Sequence, residues 1–309
     1  MKALAHSVTA AVLALAGVWG AAPASAAADD STAKGSSTRD DLLAAMHGEA
    51  FAYLKYETFA AAATRTGQPA PARLFTTAAH DERYDHFARQ ARLYGLVGTD
   101  EMNLRDSIDG ETYEATTMYP SFARQAIADG CRTVAAQFSE IARDEAQHAQ
   151  WYRQALAAVT NPGSGTVVPV GEAPTPVTVG PHRAACAGRA TRANLLTAMH
   201  GEGFAHVKYS LYAEHAQRSG QTRLATLFRN AAATERLEHF AAEANLAGLV
   251  GSTRANLLSS ARGELNEATV MYPGYARAAF QRGDFAAATL FMDIANDELG
   301  HARAFQAAA

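Results

Sequence analysis

Apolar residues return every three or four positions along most of the chain. Over 39–66 they include Leu42, Met46, Tyr53 and Tyr56, and over 132–158 Phe138, Ile141, Ala142 and Tyr152. That spacing predicts amphipathic helices. Four are predicted over 39–66, 70–95, 102–128 and 132–158, with Gly67, Gly95 and Gly130 at the breaks, where C-terminal caps belong. Four more are predicted over 192–219, 222–248, 255–281 and 284–307. Strand-like alternation is scarce, so the fold class is all-α. Four amphipathic helices of about 25 residues build a four-helix bundle.

The eight helices are two copies of one pattern. Met46-His47-Gly48-Glu49 returns as Met199-His200-Gly201-Glu202, an offset of 202 − 49 = 153. The same offset relates Glu82-Arg83 to Glu235-Arg236, Met118-Tyr119-Pro120 to Met271-Tyr272-Pro273, and Glu145 and His148 to Glu298 and His301. A fixed period of this kind marks a duplicated structural unit. The expected domains are 38–158 and 191–309, joined by a linker over 159–190 that is rich in Pro, Gly, Val and Thr.

Composition narrows the function. With 309 residues and a net charge of −4, the chain carries no basic surplus to draw nucleic acid or an anionic membrane. Residues 1–28 have the form of a signal peptide: Met1-Lys2, an apolar run around Val8 to Val18, and the small residues Ala24-Ser25-Ala26. The run falls short of the roughly 20 residues a membrane span needs. An exported protein, with no membrane span after cleavage, is expected. The two cysteines, Cys131 and Cys186, form a disulfide closing a loop of 186 − 131 = 55 residues or remain two thiols; no Cys-x-x-Cys pair exists to hold a four-thiolate metal.

The acids stand where the core should be. Glu49, Glu82, Glu111, Glu114 and Glu145 share helical faces with apolar residues, and Glu202, Glu235, Glu264, Glu267 and Glu298 repeat them. Carboxylates facing a bundle core cost several kcal/mol each unless compensated. Either they lie on the surface or cations sit among them. A glutamate from each helix together with Glu-x-x-His pairs, Glu145/His148 and Glu298/His301, approaches the recipe for a carboxylate-bridged dimetal site. Such hard ligands suit iron or manganese. His47 and His200 lie on roughly the opposite side of the helix from Glu49 and Glu202. His80, His206 and His215 have no counterpart at the offset and are expected on the surface.

Each copy resembles the rubrerythrin-type ferritin-like domain. The resemblance rests on Gly110-Glu111-Thr112-Tyr113-Glu114 running to Met118-Tyr119-Pro120, on Gly263-Glu264-Leu265-Asn266-Glu267 running to Met271-Tyr272-Pro273, and on His47-Gly48-Glu49. It implies tandem ferritin-like bundles with two dimetal centres of iron, or of manganese. Their ligands would be Glu49, Glu82, Glu111, Glu114, Glu145 and His148, then Glu202, Glu235, Glu264, Glu267, Glu298 and His301. Tyr56 and Tyr209 would orient ligand carboxylates, and Glu82 with Glu145, and Glu235 with Glu298, would bridge the metals. In the family's second helix the ligand pair is Glu-x-x-His. Here the chain reads Glu82-Arg83-Tyr84-Asp85-His86 and Glu235-Arg236-Leu237-Glu238-His239. Positions i+3 and i+4 both share a face with i, so Asp85 or His86, and Glu238 or His239, are alternatives. The rubredoxin module, with its four cysteines, is absent from the chain.

The resemblance implies reduction of hydrogen peroxide in oxidative-stress defence, with electrons from an external donor. A ferroxidase or iron-binding protein reacting with dioxygen would use the same ligands. A non-enzymatic helical interaction protein requires exposed acids instead. Pairing of bundles in the family implies an internal pseudo-dimer or a homo-oligomer.

Overall fold

The computed structural model describes residues 37–309; the signal-peptide expectation lies outside them. The first copy contains α1 (Thr38–Arg65), α2 (Pro69–Asp81), α3 (Phe87–Tyr94), α4 (Asp100–Tyr113), α5 (Tyr119–Ala128) and α6 (Arg132–Thr160). The second contains α7 (Arg189–Arg218), α8 (Thr222–Thr234), α9 (Phe240–Ala247), α10 (Thr253–Asn266), α11 (Tyr272–Gln281) and α12 (Phe285–Ala308). No strand occurs among the described residues beyond one isolated bridge, Pro181 to Val250. Local chemistry sets the ends. Ser37 and Asp40 form a capping box on α1, the Thr99 and Ser252 side chains cap α4 and α10, and Gly95 takes φ 71° after α3.

Four predicted helices carry a π-turn in mid-course. These turns are Glu82–His86, Glu114–Met118, Glu235–His239 and Glu267–Met271. Each begins at a glutamate of the predicted site. The Phe87 N–H, for example, donates to the Glu82 carbonyl, five residues back. The extra residue per turn re-aims the side chains around it, a device concentrated at functional sites.

The copies do not each close a bundle of their own. Helices α1–α3 pack on α10–α12, and α7–α9 pack on α4–α6. The Phe305 ring of α12 lies 5.1 Å from Tyr56 and 5.2 Å from Phe75, and Tyr152 of α6 lies 5.5 Å from Tyr209 and 5.3 Å from Phe228. Leu42 and Ala45 share a core with Tyr272, Phe291 and Ile294. Thus the chain forms two four-helix bundles, each built from the first half of one copy and the second half of the other.

Connection length explains the exchange. A ferritin-like bundle needs one long crossover between its second and third helices. The second rod, 69–94, is 26 residues and so about 39 Å long. Only residues 95–99 join it to α4, and that stretch reaches roughly 20 Å when fully extended. Residues 248–252 impose the same limit between α9 and α10. The third helix therefore leaves its own bundle and enters the neighbouring one.

Helices α1 and α7 cross at the centre of the molecule. His47 Nδ1 lies 3.3 Å from the His200 carbonyl, and His200 Nδ1 lies 3.2 Å from the His47 carbonyl. His47 stacks on Phe204 and Phe51 on His200. A Cβ at Gly203 would stand 3.1 Å from the backbone of Ala50, so glycine permits this close crossing. The stretch after α6 is strapped along α8 and α9: Arg223 donates to the Val168 carbonyl, Asn230 to that of Val170, and the Val177 N–H to that of Leu237. A disulfide joins Cys131 to Cys186, with Cα atoms 5.4 Å apart.

Candidate metal centre

The exchange redistributes the predicted ligands. The first centre takes Glu49 from α1, Glu82 and His86 from the π-turn after α2, Glu264 from α10, and Glu298 and His301 from α12. The second takes Glu202 from α7, Glu235 and His239, Glu111 from α4, and Glu145 and His148 from α6. The eight glutamates are all 1% exposed or less. A reading that requires exposed acids therefore lacks its premise.

Each centre is organised around two shared carboxylates. Glu82 presents Oε2 to His86 Nδ1 at 3.0 Å and Oε1 to His301 Nδ1 at 3.5 Å. Glu298 does the same with Oε1 to His86 at 3.0 Å and Oε2 to His301 at 3.0 Å. Glu49 stands at the His86 end, 3.6 Å away, and Glu264 at the His301 end, 3.7 Å away. In the second centre Glu235 and Glu145 are shared: Glu235 lies 2.8 Å from His239 and 3.3 Å from His148, and Glu145 lies 3.0 Å and 2.9 Å from them. Glu202 flanks His239 and Glu111 flanks His148. The bridging pairs are thus Glu82 with Glu298 and Glu235 with Glu145, which corrects the within-copy pairing of Glu82 with Glu145 and Glu235 with Glu298.

The π-turns also separate the second-helix alternatives. With the wider turn, i+4 stands over i, so His86 and His239 enter the clusters. Asp85 is half exposed on the outer side of His86, where it faces Arg89 and the His86 Nε2. Glu238 accepts from the Thr175 N–H of the connecting stretch. Glu114 and Glu267 lie at the edges, outside the four-residue groups. Burial, reinforced by the Glu264 charge, pushes Glu267 up to about 8.

The clusters need positive charge. In the first, Glu49 Oε2, Glu82 Oε1, Glu264 Oε2 and Glu298 Oε1 are buried without a hydrogen-bond partner. In the second, Glu111 Oε2, Glu145 Oε1 and both Glu235 oxygens are in the same condition. Burial opposes charge on His86, yet the close carboxylates of Glu298, Glu49 and Glu82 outweigh it and push the imidazole well above its usual range. Burial and the neighbouring Glu82 charge push Glu49 well above the carboxylate range. Orphaned oxygens facing pairs of imidazoles suit two adjacent hard cations in each cluster.

The supporting tyrosines come from the opposite copy. Tyr56 donates to Glu264 and Tyr209 to Glu111. Tyr119 donates to Glu202, and Gln90 Nε2 donates to Glu49 at 3.3 Å and to the Tyr272 hydroxyl at 2.9 Å. Sequence reading assigned no role to Tyr119, Tyr272, Gln90 or Glu243, although both tyrosines stand inside the Met-Tyr-Pro repeats. His206, expected on the surface, is largely buried with Nδ1 donating to the Ala232 carbonyl at 2.6 Å. His47 and His200 serve the α1–α7 crossing rather than a metal.

A four-helix bundle with two carboxylates shared between two imidazole positions in its core defines a ferritin-like dimetal protein. The rubrerythrin profile matches residues 102–168 and 193–309. The chain belongs to the rubrerythrin family, a family of di-iron oxidoreductases. It is 36% identical over 138 residues to rubrerythrin of Porphyromonas gingivalis, covering 41% of this chain and 69% of that protein. It is 35% identical over 131 residues to rubrerythrin of Nitratidesulfovibrio vulgaris, covering 38% and 68%. Nigerythrin of the same organism is 34% identical over 152 residues, covering 44% and 73%. No solved structure gives a significant match.

Proposed function

We propose that the protein is an exported di-iron oxidoreductase that reduces hydrogen peroxide to water with electrons from an external donor. The observation that carries this reading is the pair of buried clusters, each with two carboxylates shared between two imidazoles. These residues would hold a ferrous pair, which would supply the two electrons that, with two protons, convert hydrogen peroxide to two waters. Glu82 with Glu298, and Glu235 with Glu145, hold the two positions of each centre together. His86, His301, His239 and His148 would supply nitrogen donors on giving up the protons that the neighbouring carboxylates hold on them, and the flanking glutamates would set the charge. Tyr56, Tyr209 and Tyr119 fix carboxylate orientation by donating hydrogen bonds. Near-complete burial of the ligands keeps bulk water from them.

The leader-like pattern of residues 1–28 and the Cys131–Cys186 disulfide support export. No helix among the described residues is long and apolar enough to cross a membrane. Asp85 and Asp297, about half exposed on the outer side of His86, favour a second reading as a ferroxidase fed with ferrous ion from outside. One assay separates the two. Protein loaded anaerobically with ferrous ion is given hydrogen peroxide and a reducing dye. Sustained dye oxidation at two electrons per peroxide is expected. Oxygen-driven uptake of iron well beyond about four ions per chain, without dye turnover, establishes the second reading instead.

A further inference from the structure

A histidine closes one end of each cluster, but the two are not covered alike. His148 lies beside the Trp151 ring, one helical turn on, with centroids 5.7 Å apart, and its side chain is 4% exposed. At the offset of 153 Trp151 corresponds to Ala304, an exposed position, and His301 is 16% exposed. His301 Nε2 lies 3.3 Å from Oδ2 of the half-exposed Asp81, whose counterpart is the buried Thr234. At the other end the centres are alike: His86 and His239 are both buried, and each faces a half-exposed aspartate, Asp297 or Asp144.

The connecting stretch holds Trp151 in place. Val168 and Trp151 pack on the same core as Leu227 and Phe228. Gly171 comes so near that a Cβ there would stand 3.6 Å from the Trp151 ring and 3.2 Å from Leu227, and its φ of 71° suits glycine. Further along, the Thr175 N–H donates to Glu238 and the Val177 N–H to the Leu237 carbonyl, which anchors the stretch.

We propose that the opening at His301 and Asp81 is the route by which cations exchange with the first centre, and that Trp151, held by the connecting stretch, plugs the corresponding route to the second. Asp81 places negative charge at the mouth of the open route, which draws cations. A plug raises the barrier to entry and to departure alike, so it changes rates and leaves affinity alone. Opening it requires a large apolar ring to leave its packing, which slows exchange on the order of tenfold. The inference rests on the reading of both clusters as dimetal centres.

The test is anaerobic removal of ferrous ion from the loaded full mature chain by excess ferrozine, followed by absorbance, with folding checked by circular dichroism. Two phases of about two ions each are expected. The double substitution Glu82→Ala/Glu298→Ala should leave only the slow phase. Trp151→Ala should speed the slow phase on the order of tenfold, and Ala304→Trp, at an exposed position, should slow the fast one. Affinities read by calorimetric titration should stay unchanged in both variants. A single phase in the parent, or a phase that its substitution does not move, overturns the inference while leaving the dimetal reading in place. A change in rate matched by an equal change in affinity does the same. Absence of metal binding overturns both. Should Trp151→Ala fail to fold, Ala304→Trp decides alone.

Discussion

Tyr56 donates its phenolic hydrogen to Glu264, 208 positions further along the chain and in the other sequence copy. Tyr209 does the converse toward Glu111. Each hydrogen bond crosses between copies because each bundle does. Neither copy owns a centre: α1–α3 bring half the ligands of one and α4–α6 half the ligands of the other.

Paired substitutions measure this directly. Glu82 and Glu298 belong to one centre although they lie in different copies, so Glu82→Ala/Glu298→Ala should leave about two of four ions per chain. Glu82 and Glu145 lie in one copy but in different centres, so Glu82→Ala/Glu145→Ala should remove metal from both. Elemental analysis after reconstitution checks the counts. Equal losses for the two double variants would contradict the exchanged arrangement.

Tyr56→Phe removes the hydrogen bond that holds Glu264 and leaves its packing against Phe305 intact. Metal affinity should fall on the order of tenfold at the first centre alone. Tyr119→Phe should act at the second centre through Glu202. Competition with a metal chelator reads both. A uniform loss across all ions would count against this assignment.

His206 gives the protein a pH dependence that does not involve the ligands. Burial pushes its imidazole down to about 4, against 6.5 when exposed. The unfolded chain takes up the proton first, so acid favours unfolding: stability should begin to fall as pH drops through 6.5 and level off below about 4. The loss amounts to about 3–4 kcal/mol. Thermal unfolding of His206→Asn should show a weaker fall between pH 7 and 4.5 than the parent. Parallel curves would remove His206 from this role.

The Cys131–Cys186 disulfide ties the start of α6 to the segment that leads into α7, closing 55 residues. Reducing it should cost about 3–4 kcal/mol by freeing the unfolded chain. A Tm unchanged by reductant, or by Cys131→Ser/Cys186→Ser, would refute that contribution.

The repeat, the helices and the ligand types were all readable along the chain. Apolar spacing placed the eight rods to within a few residues, the offset of 153 showed the duplication, and the resemblance implied twelve ligands, ten of which stand within the two clusters. Glu114 and Glu267 stand at the edges. The choice of His86 over Asp85 escaped spacing because a regular helix puts both on the face of Glu82. Only the π-turn, with its extra residue, brings i+4 over i. His206 was misplaced because lack of a repeat partner says nothing about burial.

By itself, then, the sequence determined helicity, duplication and a set of acids too costly to bury without cations. Which halves combine was decided by tertiary structure. The five-residue links at 95–99 and 248–252 are too short to carry a third helix back along a rod of about 39 Å. Periodicity is a local property and is blind to that distance. The shared carboxylates and the crossing tyrosines exist only once the two copies have exchanged their halves.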